Sequence, residues 1–492
     1  MKTTDTDAIN FFTNNDVVAD PFPYLHALRE GCPVRKEPHH NVIMVTGYDE
    51  ALQIYNDTKS FSSCISVTGP FPGFPVPLAG KSPEEIDALI AEHRGKLPMN
   101  DQLPTFDPPT HTDHRALLMR LITPKRLAEN EEFIYRLTDR TLDNFIERGS
   151  CEYNGEFAAP LAMLVVADLL GVPEDDRETF RQVLLRKHGH GEHKASDMVG
   201  STDRDKLSHN PLEFLYTRFT DYISARRKQP STDVLTGLAN AKFPDGSTPE
   251  VIDVVRVAAN LFAAGQETTV RLLSSGVMLL AENPELQARL RKQPELVPSF
   301  VEETLRMESP VKGDFRLARC PVKVGGVDIP AGSTVMVLNA AANRDPRHFK
   351  DPDKFDLERS NARQQVAFGR GVHSCPGAPL ARAEARIGFQ RLLERTRSIR
   401  ISEQHHGPAG ARRYQYVPTF ILRGLVQLHI EFEKALGGVP IYCDASRFTP
   451  LFRWRKIGAN RSVEYIETPP GVGRLPLVAA SRHVPAIGRT RC

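Results

Sequence analysis

The chain of 492 residues is poor in cysteine, with seven, at positions 32, 64, 151, 320, 375, 443 and 492. None stands in a C-x-x-C pair, the number is odd and the spacings are wide, which argues against a disulfide framework and against a zinc site. Net charge is nearly absent, at +2 with histidine neutral. That removes the electrostatic case for a nucleic-acid partner or an anionic membrane surface. No run of about 18 apolar residues occurs. The opening MKTTDTDAINFFTNND has no basic stretch leading into an apolar one. The expectation is a soluble, cytoplasmic protein with no membrane anchor. The only tryptophan, Trp454, falls in a stretch, 433–492, rich in Gly, Pro and Arg and without periodicity. That stretch is expected to be a poorly ordered tail appended to one large domain at 1–432.

What is present is enough apolar material for a large core, 40% of residues, arranged mostly at helical spacing. Helices are predicted over Pro23 to Glu30 and Tyr48 to Asn56, with a short strand, Asn41 to Val45, between them. Residues 64–109 are rich in Pro and Gly, and within them Gly69 to Pro77 reads as an ordered or semi-mobile loop with aromatic tips, Phe71 and Phe74. Helical patterns run from about 111 to 240. Ser247-Thr248-Pro249-Glu250 is read as a hydroxyl-capped helix start, opening a long apolar helix to about Leu280. Two more helices fill 284–307. Residues 316–340 are strand-like, with a hairpin from Val322 to Gly332. The fold class is mainly α with small β-sheets, α+β.

The most informative run is Phe368-Gly369-Arg370-Gly371-Val372-His373-Ser374-Cys375-Pro376-Gly377. Glycines around one cysteine let the backbone approach something flat and large. A strong helix former follows, so Cys375 precedes a helix N-terminus, where the dipole is expected to lower a thiol pKa to roughly 3.5–7.5. The long helix contains Ala263-Ala264-Gly265-Gln266-Glu267-Thr268-Thr269. Gly265 inside it costs about 1 kcal/mol against Ala, which suggests that the backbone comes close to a ligand there. A hydroxyl beside an acid, Thr268 and Glu267, suits proton delivery, although a buried Thr commonly bonds its own helix carbonyl. His111 and Arg115 lie one turn apart on a predicted helix face. His188, His190 and His193 sit among glycines and lysines and read as a solvated loop rather than a metal site.

The Ala-Gly-x-Glu-Thr segment, Glu303-x-x-Arg306 and the cysteine loop, in this order along the chain, resemble the cytochrome P450 monooxygenases over roughly residues 10–432, and soluble bacterial members in particular. The resemblance implies that family's fold, with haem b (iron protoporphyrin IX) between a long central oxygen-activating helix and the cysteine-loop helix. It makes Cys375 the iron ligand, with Phe368 shielding the sulfur and Gly369 and Gly377 in the cradle. It assigns His111, Arg115, Arg316 and His373 to the haem propionates. Ala264 and Gly265 would flank the distal face, with Thr268 and Glu267 as the catalytic pair. Glu303, Arg306 and Arg359 become scaffold. Substrate contacts would come from Phe71, Phe74, Leu261, Val311, Phe315, Thr419, Phe420 and Ile421, a mostly apolar lining, while Lys312 and Asp314 would face water or a polar group. The implied activity is insertion of one atom of O2 into an apolar small molecule, with electrons from a separate ferredoxin and ferredoxin reductase. A peroxide-driven enzyme and a non-catalytic haem sensor on the same scaffold are the alternatives.

Overall fold

The computed structural model describes residues 5–186 and 213–435. The His188–His193 cluster and the chain from 436 onward lie outside the described residues. The longest apolar stretch becomes one helix, Val251–Glu282, apolar on nearly every face because it is buried on nearly every face. Around it pack the helices Ala159–Leu170, Glu213–Lys228, Val297–Glu308 and Ala378–Arg395. The last of these, the cysteine helix, crosses it closely. A Cβ on Gly276 would stand 2.2 Å from the Phe389 ring, so only glycine admits that ring.

The start of the central helix differs from the sequence reading. Its cap is Glu250, in a reciprocal box with Asp253. Ser247 is engaged one turn earlier, where its N–H and its hydroxyl both donate to Asp245. Within 64–109 the sequence reading named no helix, and residues Pro83–His93 form one. Ser82-Pro83-Glu84-Glu85 opens it with a full capping box, the hydroxyl of Ser82 accepting from the Glu85 N–H.

The described strands form three separate sheets. β1 (Val34–Lys36), β2 (Ile43–Val45), β3 (Phe61–Ser62), β5 (Asp314–Ala318) and β8 (Thr334–Val337) form a five-stranded sheet in the order β1-β2-β8-β5-β3. β2 and β8 are parallel and the other pairs antiparallel. β4 (Ser150–Glu152) joins β9 (Thr396–Ile401) and β10 (His429–Lys434), the last strand running two residues past Phe432. β6 (Val322–Val324) and β7 (Val327–Ile329) form the predicted hairpin around Gly325-Gly326. The fold is helical with small sheets, the α+β class expected. No helix among the described residues is long and apolar enough to cross a membrane.

Candidate active site

The cysteine loop is shaped by two glycines with left-handed backbone, Gly369 (φ +64°) and Gly371 (φ +68°). It closes on itself through the Cys375 N–H, which donates to the Phe368 carbonyl at 2.8 Å. Gly371 has no alternative residue, because a Cβ there would stand 2.2 Å from the Tyr55 carbonyl oxygen. We expect Gly371→Ala to cost about 2 kcal/mol or more in denaturant unfolding, from the left-handed penalty and this clash together.

Cys375 is exposed, alone among the five described cysteines. Its surroundings are nonetheless those of the interior, since burial pushes the thiol pKa up. A surface that is open yet desolvated borders an internal space. The N–H groups of Gly377 and Ala378 and the guanidinium groups of Arg115 and Arg382 pull the pKa down, but less than burial raises it. The lowered thiol pKa predicted from the helix N-terminus is therefore corrected. Desolvation of a thiolate outweighs a helix end and two cations. A metal cation at the sulfur would reverse that balance, because a coordinated thiol is deprotonated.

Beside the loop lies a cluster of two arginines and two histidines drawn from three parts of the chain. His111 and Arg115 are on the helix Thr110–Met119, Arg316 is on β5, and His373 precedes the cysteine. The rings of His111 and His373 are 4.0 Å apart. Arg115 donates to the Ser374 carbonyl at 2.7 Å. Arg316 reaches Asp314 at 3.2 Å and lies 5.4 Å above the Tyr55 ring. The His373 Nε2 is 3.1 Å from the Ser63 hydroxyl. His111 is buried, and among the described residues neither of its ring nitrogens has a hydrogen-bond partner. Burial first, then Arg115, pushes its pKa down to about 4. Crowded cations and an unsatisfied buried imidazole make a pocket for anionic oxygens.

The central helix is buried at Leu261 and Phe262 and again at Thr269 and Val270, but Ala264 between them is exposed and Thr268 half-buried. The helix thus opens onto a space at its middle. The Thr268 hydroxyl donates to the Ala264 carbonyl at 2.8 Å, the local bond that a helical threonine commonly makes. Glu267 pairs with Arg271 at 2.6 Å, and Arg271, itself buried, donates to the Leu425 carbonyl at 2.9 Å. Sequence reasoning missed Arg271, although an Arg four residues after an acid in a helix is a readable signal. The bare side of Gly265 meets Val166 at 3.0 Å, so its missing side chain makes room for a neighbouring helix rather than for a ligand.

Glu303 and Arg306 are both fully buried and joined by two bonds of 2.8 Å, and Arg359 reaches the same carboxylate at 2.9 Å. On the presumed substrate side, Phe71, Phe315 and Phe420 come together with Phe12, with Phe71 and Phe420 at 5.6 Å and Phe315 and Phe420 at 6.0 Å. Thr419 and Ile421 flank Phe420 in the same turn, and Val311 bridges to Leu422 beside it. Phe74 is turned toward His93 instead, at 6.3 Å. Leu261 belongs to the separate core around the central helix.

A haem b asks a protein for an inward-facing ligand atom, cations for two carboxylates, and room for a flat ring. The exposed sulfur of Cys375 meets the first, and the unpartnered His111 with its arginines the second. Open space lies on the side of Gly369 where a side chain would stand, and at Ala264. The residues present fit the group, and the class they define is a haem-thiolate protein.

Comparison with known proteins carries this further. The family model of cytochrome P450 matches residues 205–404. Cytochrome P450 144 of Mycobacterium tuberculosis is 32% identical over 403 residues, covering 82% of this chain and 88% of that protein. The 6-deoxyerythronolide B hydroxylase of Saccharopolyspora erythraea is 32% identical over 372 residues, with 75% and 86% covered. Among solved structures, substrate-free cytochrome P450 CYP150A6 of Mycobacterium marinum superposes with a TM-score of 0.81 at 51% identity, over 87% of this chain and all of that one. The chain belongs to the cytochrome P450 family. It is a haem b monooxygenase of the bacterial type, and it acts with O2, an organic substrate and redox partners.

Proposed function

We propose that this enzyme hydroxylates or epoxidises an apolar organic molecule, with Cys375 as the thiolate ligand of the haem. The observation that carries the residue assignment is the exposed yet desolvated Cys375, two positions after His373, whose ring meets that of the buried His111, which has no hydrogen-bond partner among the described residues. When bound, the haem supplies dioxygen activation, which electron density from an axial thiolate favours. The chain's own residues do the rest. His111, Arg115, Arg316 and His373 hold the two carboxylates and so fix the ring's orientation. Phe368, with the Arg382 guanidinium 4.7 Å above its ring, covers the sulfur side and keeps water from it. Thr268 holds a proton at its hydroxyl and turns it from the Ala264 carbonyl toward dioxygen, and Glu267, steadied by Arg271, replaces that proton from solvent.

Phe71, Phe315, Phe420 and the neighbouring Val311, Thr419 and Ile421 orient an apolar substrate, in keeping with the usual lining of small-molecule sites. A relative named for hydroxylating 6-deoxyerythronolide B supports a sizeable organic substrate. Electrons come from a separate ferredoxin and its reductase in the cytoplasm, a choice that rests on the likeness to bacterial members of the family.

Thr268→Ala tests the catalytic assignment. Product per electron consumed should fall about 100-fold, the lower end of what general acid catalysis contributes, while reductant consumption continues and peroxide is released. Unchanged coupling would remove Thr268 from the proton path. Turnover with peroxide but none with a reductase system would instead favour a peroxide-driven enzyme.

A further inference from the structure

Lys312 has no place in the reaction described above, yet it is 1% exposed and among the largest fully buried side chains. Its backbone ties two segments together. The Lys312 N–H donates to the Ile421 carbonyl at 2.6 Å, and its carbonyl accepts from Ala340 at 3.0 Å. The side chain runs under the 419–421 turn, where the amine donates to the Thr419 carbonyl at 2.7 Å. An ammonium has three N–H donors, and among the described residues only this one carbonyl accepts from it. No carboxylate among the described residues lies within ion-pair distance. The two acids nearest in sequence are already committed, Glu308 to Arg423 and Asp314 to Arg316, each pair at 3.2 Å. The charge that Lys312 does feel, from Arg423, has its own sign, and together with burial it pushes the amine down to about 7.

Keeping the charged form of a buried amine with one carbonyl acceptor and no counter-charge is costly, and a carboxylate brought to it would remove that cost. Its position explains what it is for. Val311 and the turn bearing Thr419, Phe420 and Ile421 are the residues assigned above to the substrate, and the inference rests on that assignment. We propose that Lys312 is a specificity-determining residue, whose amine receives the carboxylate of an otherwise apolar organic acid. The ligand brings the counter-charge that the protein withholds, and its hydrocarbon part lies against Phe71, Phe315 and Phe420. A flexible four-carbon stem lets the amine move from the Thr419 carbonyl to the ligand.

The test is optical titration of the ferric holoenzyme with three acids and their methyl esters: dodecanoic, biphenyl-4-carboxylic and 5β-cholanic. At least one acid should bind about tenfold or more tightly than its ester, which is about 1.4 kcal/mol. Lys312→Met should abolish that preference and leave ester affinity within about threefold, well under 1.4 kcal/mol. If no acid outbinds its ester in the unaltered enzyme, the proposal falls without need of a variant. It falls equally if the preference survives in Lys312→Met, which would leave the amine a structural tie to the turn. Phe420→Ala separates the two layers of the argument. Weakened binding of acid and ester alike, with the ratio untouched by Lys312→Met, keeps the pocket and discards the role of Lys312. Should neither variant alter either probe, the assigned pocket is wrong and the proposal goes with it.

Discussion

Cys375→Ala should leave a folded protein that has lost its chemistry. Product formation should drop below about one-thousandth, or about 4 kcal/mol at 1.36 kcal/mol per factor of ten. The reduced, carbon-monoxide-treated variant should lack the absorption of a sulfur-ligated haem. The fold should survive because the loop is held by the backbone: the bond from residue 375 N–H to the Phe368 carbonyl and that from the Val366 N–H to Asn343 do not involve the sulfur. Cys375→His sharpens the result. An imidazole can ligate haem but does not push electron density as a thiolate does, so this variant should retain pigment and still fail to make product. A thiolate spectrum in Cys375→Ala would point to another cysteine. The structure offers poor substitutes, with Cys64 and Cys151 both buried and their thiols pushed upward by that burial.

The elements that sequence reasoning found were those written in local pattern. Tyr48–Asn56 is a helix with the predicted ends, because its apolar spacing and early acids need no distant partner. The long central helix was legible from its composition, but its start was not. Ser247 and Glu250 are both able to cap, and the choice went to Glu250 because Asp245 had already taken Ser247 into the preceding turn. The helix Pro83–His93 was hidden by the prolines and glycines around it, although Ser82-Pro83-Glu84-Glu85 carries a complete start signal.

For the site, the pattern named residues and the fold supplied their circumstances. His111 and His373 are 262 positions apart in the chain, and nothing local shows their rings in contact. The sign of the Cys375 shift was misjudged because a helix end is visible in sequence and the depth of a cavity is not. The same holds for Lys312, whose exposure could be read either way from a charge beside a Gly. The resemblance implies a shared role for Phe71, Phe315 and Phe420, and in the fold Phe71 and Phe315 both meet the Phe420 ring. Phe74, three residues from Phe71, packs against the same cluster, but its ring partner among the described residues is His93, at 6.3 Å, rather than one of the three phenylalanines.

Glu303→Gln should be the most damaging single change away from the haem, and its damage should be to folding. The Glu303 carboxylate accepts two bonds from Arg306, one from Arg359 and one from the Asp356 N–H, with no exposure to solvent. Arg306 in turn holds the carbonyls of Asn343, Pro352 and Lys354, and Arg359 those of Lys350, Asp351 and Lys354. One carboxylate therefore anchors the two guanidinium groups that organise the segment leading to the cysteine loop. Neutralising it leaves two buried cations without a counter-charge, at a cost of about 3–5 kcal/mol, a large share of a stability that is itself about 5–15 kcal/mol. The thermal midpoint and the yield of folded holoenzyme should fall together, while whatever folds should bind substrate with unchanged affinity. A weakened affinity in the folded fraction would give Glu303 a direct part in the site. Replacing Glu303, Arg306 and Arg359 together by leucine or methionine should recover part of the loss, since an absent triad costs less than a broken one. It should not recover all of it, because the six carbonyl bonds go with the guanidinium groups, and that shortfall measures what the two arginines contribute to the cysteine loop's approach beyond pairing with Glu303.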